Sequence, residues 1–157
     1  ACEKEAERLA KMAVEETGFG IWQDKVLKNL LGSKMTYEYI KDMKTIGVIS
    51  EDPIKRTMDV ADPVGLLMGI VPSTNPTSTT IFKAIVAVKA RNAIVFSPHP
   101  SAAKCSGKAA ELMAKAAVEA GAPEKQTGAN RKNRQREKDI PGYRYPWRRA
   151  SGHVCAV

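Results

Sequence analysis

The stretch GIVPSTNPTSTTIFKAIVAVKARNAIVFSPHP, from Gly69 to Pro100, decides the fold class of this 157-residue chain. It begins with an apolar run and continues through a turn of small polar residues. Apolar side chains at helical spacing and a second apolar run follow. Short continuous apolar runs are typical of strands that are buried on both faces of a parallel sheet. The order strand, helix, strand therefore predicts a right-handed βαβ unit.

The residues on either side extend this unit into an α/β domain. An Ala-rich helical pattern follows the second strand and ends at Gly121, which gives a βαβα order. Upstream, the β-branched runs TIGVIS and RTMDVAD enclose the turn-forming residues EDPIK. This pattern predicts a two-stranded ribbon over residues 45–62.

Two N-terminal helices are predicted from apolar periodicity. Residues 3–17 show the spacing of one buried helical face at Ala6, Leu9, Ala10, Ala13 and Val14. A second helix is predicted to begin near Asp24, a suitable N-cap residue. Its apolar side chains fall on one side, at Val26, Leu27, Leu30 and Leu31, and Gly32-Ser33 is expected to interrupt it.

The turns that follow the two predicted strands form a candidate binding crevice. In open parallel sheets, ligands bind outside the carboxyl ends of the strands, and here VPSTNP and SPHP should lie side by side. Asn75 could donate its amide to a developing oxyanion, or it could cap the next helix ahead of Pro76. His99 could contact a cofactor, or it could be an exposed loop residue. Spacing alone leaves both pairs of alternatives open.

Composition excludes several other classes of protein. A hydrophobic content of 43% and a charged content of 27% are typical of a globular domain, and no apolar run is long enough to predict a transmembrane helix. The three cysteines, Cys2, Cys105 and Cys155, are widely spaced, and with two histidines they form no evident metal site. A reducing cytoplasm is therefore expected. Lys104 and Lys108 are expected to lower the Cys105 pKa somewhat, but no base is predicted beside this thiol.

The basic charge is concentrated at the C-terminus. The formal net charge is +8, and residues 124–157 hold 9 of the 25 Lys and Arg but 3 of the 17 Asp and Glu. This segment shows no sustained apolar period, which predicts a poorly ordered basic tail. It could be a solvated tail, a reading-frame shift, or a binder of single-stranded nucleic acid through Tyr143, Tyr145 and Trp147.

The quoted stretch resembles the coenzyme-A-acylating aldehyde dehydrogenases, including the aldehyde dehydrogenase half of the bifunctional aldehyde–alcohol dehydrogenases. The resemblance also rests on AVEETGFG, DKVLKN, KDMKTIGVISED, VADPVGLLMGIVPSTNP and AAELMAKAAVEAGAP. It covers about residues 3–123 and stops at Glu124. It implies a partial NAD-binding domain over residues 1–123, with the ribbon as the start of an oligomerisation element and residues 124–157 as a non-homologous tail.

The resemblance also implies roles for the residues of the two turns. The first cofactor turn would consist of Val71, Pro72, Ser73 and Thr74, and Asn75 would help to hold a thiohemiacetal oxyanion. The second turn, Ser97-Pro98-His99-Pro100, stands where classical aldehyde dehydrogenases carry Lys-Pro-x-Glu to grip the adenosine ribose. Ribose binding must therefore differ here, as it does throughout the acylating branch. No metal is implied.

The implied activity is the NAD-dependent interconversion of a short aldehyde and acyl-coenzyme A through a cysteine thiohemiacetal and thioester. In the family the nucleophilic cysteine lies well downstream, so the chain is expected to be an N-terminal fragment that is inactive alone. The parent is expected to be a homo-oligomer in the cytoplasm or a bacterial microcompartment, without a membrane partner. A non-catalytic nucleotide-binding or assembly module is the alternative, and nucleic-acid binding through the tail is a third.

Overall fold

The computed structural model describes residues 2–122 and the pair 155–156. The helices are α1 (Cys2–Thr17), α2 (Trp22–Leu30), α3 (Thr36–Ile40), α4 (Pro76–Lys89) and α5 (Ala103–Glu119). A π-helical stretch, Leu31–Met35, joins α2 to α3, and a 3₁₀ turn, Pro100–Ala102, precedes α5. The strands are β1 (Gly47–Asp52), β2 (Thr57–Ala61), β3 (Leu66–Val71), β4 (Ala93–Pro98) and β5 (Cys155–Ala156).

The predicted parallel βαβα unit is confirmed. Strand β3 runs parallel to β4 from the pair Leu66 and Ala93 to the pair Val71 and Pro98, and α4 is the crossover between them. The two-residue strand β5 lies antiparallel on the other side of β4, so the strand order is β3-β4-β5. Helix α5 ends at Glu119, and Gly121 follows two residues later with a φ of +100°, a backbone conformation that glycine adopts without strain.

Helices α4 and α5 pack on one face of this sheet. The core there combines residues from β3, α4, β4 and α5: Val71, Ala84, Ala87, Ile94, Phe96 and Ala110. The opposite side of β3 exposes Leu66, Met68 and Ile70, so the prediction that this strand is buried on both faces is wrong for the part of the chain described. The apolar run is real, but among residues 2–122 both sheet-packing helices lie on the same side.

Helix α1 packs across α4 and α5 with the predicted face inward. Ala6, Leu9, Ala10 and Ala13 are buried, while Val14 is half-buried. Leu9 lies against Ile81 of α4 and Ala109 of α5, and all three side chains are fully buried. Burying a leucine side chain contributes about 1.5–3 kcal/mol, so this contact fixes α1 to the βαβα unit.

The orientation predicted for α2 is wrong. Its buried residues are Lys25 and Asn29, continued by Ser33 in the π-helical stretch, whereas Leu27 is 61% and Leu31 50% exposed. The buried polar groups are tolerated because they find hydrogen-bond partners on α1 and on the segment that begins α4.

The ends predicted for α2 also differ from those observed. The helix begins at Trp22, so Asp24 lies within the first turn and is not the N-cap residue. Its carboxylate there suits the positive end of the helix dipole. The predicted interruption at Gly32-Ser33 is not observed. The backbone continues there with π-type turns, and the Ser33 hydroxyl donates to the Asn29 carbonyl at 2.7 Å.

The predicted ribbon is confirmed as an antiparallel pair, β1 and β2, with Gly47 opposite Ala61 and Asp52 opposite Thr57. The Asp52 carboxylate accepts 3.0 Å bonds from the backbone N–H groups of Ile54 and Lys55 and so closes the connecting turn. The Lys55 N–H bond is the main cause that lowers the Asp52 pKa. The role of this ribbon in oligomerisation stays a prediction.

The predicted basic tail lies outside the described residues, apart from the backbone pairing of β5. Its disorder, its origin in a frameshift and its affinity for nucleic acid therefore stay predictions. In residues 2–122, no helix combines the length and apolar character that crossing a lipid bilayer requires.

Candidate functional site

The two turns at the carboxyl edge of the sheet lie next to each other, as predicted. Val71 and Pro98 are the last residues of the β3–β4 ladder, and the His99 N–H then donates to the Val71 carbonyl at 2.9 Å. This bond runs from the first residue after β4 to the last residue of β3 and so holds the starts of the two turns together. The backbone of Val71–Thr74 and that of Ser97–Pro100 therefore form one continuous edge.

In the first turn, Asn75 occupies the N-cap position of α4 but does not cap it. Pro76 is the first helical residue, as expected, yet the Asn75 side chain makes no capping hydrogen bond. Its Oδ1 atom is buried and has no hydrogen-bond partner among the described residues. Asn75 and Pro76 thus begin the helix as one alternative predicted, but the prediction that the Asn75 side chain caps it is wrong. Its role at an oxyanion stays a prediction. A buried, unpaired amide oxygen costs about 1–3 kcal/mol, which stabilising contacts elsewhere in the fold offset.

Two buried side chains of α2 hold the backbone on either side of Asn75. Lys25 as a whole residue is 5% exposed, and its ammonium donates to the Thr74 carbonyl at 2.7 Å. The Asn29 amide oxygen accepts a 2.8 Å bond from the Thr77 hydroxyl, and its Nδ2 donates to the Ala6 carbonyl on α1 at 2.9 Å. Burial is the main cause that lowers the Lys25 pKa, and the charge of Lys28 lowers it further.

Gly32 brings the backbone of the π-helical stretch close to the first turn of α4. A Cβ atom at Gly32 would lie 2.8 Å from the Ser78 carbonyl oxygen, which is closer than real Cβ contacts come. Glycine is therefore required at this position. Lys25, Asn29 and Gly32 were not recognised as site residues in the sequence, although DKVLKN contributes to the family resemblance. Their partners are distant in the chain, and local periodicity does not reveal such contacts.

The second turn is organised around His99. The backbone N–H of Ser101 donates to Nδ1 of His99 at 3.2 Å, and the Ser101 hydroxyl lies 2.7 Å from the same atom. His99 therefore caps the 3₁₀ turn that follows it, while its side chain remains exposed. Ser97 and Pro100 are also exposed, and Pro98 is buried. Contact of this turn with a cofactor stays a prediction.

Helix α5 begins just after the second turn, and a carboxylate covers its N-terminus. Glu16 of α1 accepts bonds from the backbone N–H groups of Lys104 at 2.8 Å and of Cys105 at 2.7 Å. The start of a helix is a favourable place for an anion because its N–H groups are unpaired and its dipole is positive there. Glu16 takes that place, so a ligand phosphate would have to displace it.

Cys105 is fully buried, and its pKa is raised to about 12. Burial is the main cause, and the Glu16 carboxylate adds to it. The expectation that Lys104 and Lys108 lower this pKa is wrong: Lys104 is exposed, and Lys108 pairs with Glu111 at 3.0 Å. The thiol is protonated at neutral pH and buried. The expectation that no base lies beside it is wrong, because the Glu16 carboxylate of α1 does.

Cys2 is half-buried, and its thiol lies 3.3 Å from the Met113 sulfur. Burial also raises the pKa of this thiol. Neither cysteine whose side chain is described has the low pKa and the access that a nucleophilic thiolate needs. In residues 2–122 no group of three or more His, Cys, Asp or Glu side chains is placed to hold a metal ion.

This chain belongs to the aldehyde dehydrogenase family, whose sequence model matches residues 1–136. It is 55% identical over 115 residues to the bifunctional aldehyde-alcohol dehydrogenase AdhE of Escherichia coli. That match covers 73% of this chain and 13% of the relative. The family match extends beyond Glu124, where the resemblance was predicted to stop. The point at which the family-like domain ends in this chain stays a prediction.

Solved structures show the same fold. An acetylating aldehyde dehydrogenase from Geobacillus thermoglucosidasius is 62% identical with a TM-score of 0.75, over 78% of this chain and 27% of that one. A propionaldehyde dehydrogenase from Rhodopseudomonas palustris, with bound CoA and an acylated cysteine, is 32% identical with a TM-score of 0.60 and covers 75% and 26%. An engineered glycolyl-CoA reductase with bound NADP⁺ is 31% identical with a TM-score of 0.60, over 75% and 26%.

The relatives with the higher identities define the branch of the family as well as the fold. Relatives at 55–62% identity include acetylating aldehyde dehydrogenases, and the predicted resemblance to this branch is confirmed. The chain spans about a quarter of the solved relatives and about an eighth of the bifunctional enzyme. The activity of a whole enzyme is therefore a matter of proposal for this chain.

Proposed function

We propose that this chain supplies one wall of the active site of a CoA-acylating aldehyde dehydrogenase, which interconverts a short aldehyde and its acyl-CoA. The observation that carries the proposal is the position of Asn75. Its amide lies at the carboxyl edge of the parallel sheet, does not cap α4, and is held through its neighbours by α2. The close relatives support the same chemistry.

The composition of the two turns supports the binding of a nucleotide cofactor. The first, Val71–Thr74, is short and uncharged, and it ends at the start of α4, so backbone groups can approach a ligand closely. The second, Ser97–Pro100, has no carboxylate or lysine for the ribose hydroxyls. The same edge could therefore receive the nicotinamide cofactor and then coenzyme A. When bound, NAD accepts the hydride that leaves the aldehyde carbon.

Asn75 would act on the substrate oxygen. Attack by a cysteine thiolate on an aldehyde places negative charge on that oxygen, and the Asn75 amide N–H groups would donate to it. One such donor contributes about 2.7–4 kcal/mol to lowering the barrier. Loss of hydride then gives a thioester, and the coenzyme A thiol takes the acyl group and releases the cysteine. Cys2 and Cys105 do not fit the nucleophile, and the resemblance places the nucleophilic cysteine of the family well downstream, so we infer that another part of a full-length enzyme provides it.

A chimera tests this proposal. Residues 3–122 would replace the matching segment of the G. thermoglucosidasius enzyme, and NADH formation from acetaldehyde, NAD and coenzyme A would be measured. We expect an active chimera in which Asn75→Ala lowers kcat by about 10²–10³ with little change in KM. Gln23→Ala, an exposed amide on α2, is the matched control. Full kcat in the Asn75→Ala chimera would refute the assigned role.

A parallel measurement concerns the chain by itself. The purified chain is expected to form no NADH under the same conditions, because neither described cysteine is an available thiolate. Titration of NAD, followed through Trp22 and Trp147 fluorescence, then separates two cases. Saturable binding without turnover would identify a non-catalytic nucleotide-binding module. NADH formation by this chain would overturn the expectation that it is inactive alone.

A further inference from the structure

The buried face of α2 contains a charge that packing alone does not explain. Lys25 is 5% exposed, and in residues 2–122 its ammonium donates to a neutral backbone carbonyl and pairs with no carboxylate. Burying an ammonium group is costly unless a counter-charge or several hydrogen bonds compensate for it. A methionine or leucine would fill the same space at lower cost. This departure from ordinary core composition points to a function for the Lys25 ammonium.

The carbonyl that Lys25 contacts belongs to the peptide bond joining Thr74 to Asn75. Fixing this carbonyl fixes the plane of that peptide, and with it the N and Cα atoms of Asn75 from which the side chain leaves the backbone. One helical turn further along α2, Asn29 holds Thr77, two residues after Asn75. Asn29 is itself tied to α1 through the Ala6 carbonyl. Contacts from one helix thus hold the backbone on both sides of Asn75.

We propose that Lys25 and Asn29 are positioning residues that set the orientation of the Asn75 amide for catalysis. This inference rests on the proposed role of Asn75. Neither side chain touches the substrate, and each acts through the backbone of the turn. Helix α2 therefore serves as a fixed support for the first turn.

The first experiment measures position and needs no catalysis. Backbone and side-chain amide signals of this chain are compared by NMR, together with hydrogen exchange, in Lys25→Met and in the exposed control Lys28→Met. We expect Lys25→Met to shift the Asn75 side-chain signals and to speed exchange of the Thr79 amide about tenfold. This amide donates to the Asn75 carbonyl, whereas core amides such as Phe96 should be unaffected. Unchanged Asn75 and Thr79 signals would overturn the proposal.

A second variant covers the possibility that Lys25→Met does not fold. Thr77→Val keeps the shape of the side chain but removes the hydroxyl that donates to Asn29. It is expected to shift the same Asn75 side-chain signals, while Lys25→Arg, which keeps a buried donor, should shift them less than Lys25→Met. If Thr77→Val shifts NMR signals elsewhere in the chain but leaves the Asn75 side-chain signals unchanged, the Asn29 contact serves stability alone. The proposal then fails for Asn29.

The second experiment tests the consequence for catalysis in the chimera. Misplacement of a catalytic group by about 1 Å can cost up to about a hundredfold in rate, so Lys25→Met should lower kcat about ten- to a hundredfold with KM nearly unchanged. In the Asn75→Ala background the same change should have little further effect, because there is no amide left to position. An equal loss in both backgrounds would show that Lys25 acts independently of Asn75.

The two experiments also separate failure of this inference from failure of the proposed function. If the unsubstituted chimera is inactive, or if Asn75→Ala has no effect on its rate, the catalytic role of Asn75 is lost and the inference that rests on it fails with it. The NMR comparison would then still report whether α2 orients the turn. If Asn75→Ala lowers kcat but Lys25→Met does not, the proposed function stands and the positioning role is refuted.

Discussion

Replacing Gly32 with alanine is expected to destabilise the chain, although alanine is the better helix former. The added Cβ would lie 2.8 Å from the Ser78 carbonyl oxygen and 3.5 Å from the Ser78 Cβ. The first of these distances is a steric overlap with backbone, which no side-chain rotation can relieve. Helix α4 and the π-helical stretch would have to separate by several tenths of an ångström.

Two opposing effects set the magnitude. Overpacking in a well-packed region costs about 1–3 kcal/mol, and the rigid backbone here favours the upper half of that range. Exchange of glycine for alanine within a helix returns about 1 kcal/mol. We therefore expect a net loss of about 1–2 kcal/mol in the free energy of unfolding. A valine at the same position should cost more, because it is larger and helix formation no longer compensates to the same degree.

Urea denaturation followed by far-ultraviolet circular dichroism measures this loss. With a slope of about 1–3 kcal/mol per molar urea, the midpoint should fall by about 1 M in Gly32→Ala. Lys28→Ala, an exposed substitution on α2, controls for helix propensity and should stay within about 0.5 kcal/mol of the starting chain. A Gly32→Ala midpoint at or above that of the starting chain would refute the close approach of the two helices.

Three further predictions concern the N-terminus of α5. Glu16→Gln should lower the free energy of unfolding by about 1–2 kcal/mol, because the single amide oxygen cannot accept both N–H bonds. The exposed control Glu15→Gln should have little effect. Equal losses for the two variants in urea denaturation would contradict this prediction. In a variant with Cys2→Ser and Cys155→Ser, a thiol reagent should modify folded Cys105 at least about a thousandfold more slowly than an unfolded thiol, because its pKa is about 12 rather than 9.0. Since the folded pKa is raised, the thiol's contribution to stability is present below pH 9 and is lost as the pH rises towards 12, so stability should fall over that window more than in Cys105→Ala.

The fold was largely predictable because its main signals are local. Apolar spacing between Thr77 and Arg91 and the two apolar runs beside it predict the crossover unit, and α4 and the β3–β4 pair confirm it. The turn that carries Asn75 was predicted from its place after a strand. Its backbone surroundings were predictable to that extent, but the direction of its side chain was not.

The errors arise where a polar side chain has a partner far away in the sequence. Apolar periodicity placed Leu27 and Leu31 inside α2, yet Lys25 is buried because its partner is the carbonyl of Thr74, 49 residues away. The Cys105 pKa was misjudged mainly because burial raises it, and also because the Glu16 carboxylate beside it lies 89 residues earlier in the chain. Neighbours in sequence predict helices and strands, whereas the electrostatics of a site depend on contacts that only the folded chain brings together.

The hydrogen bond from the His99 N–H to the Val71 carbonyl has a consequence for motion. It runs from the first residue after β4 to the last residue of β3, so it ties the starts of the two turns to each other at the end of the ladder. A site that admits two different ligands in succession must open somewhere to exchange them. If the proposed enzyme binds its cofactor and coenzyme A in succession at this edge, the first turn, which α2 holds through Thr74, should change shape less than the parts of the enzyme that lie across the crevice.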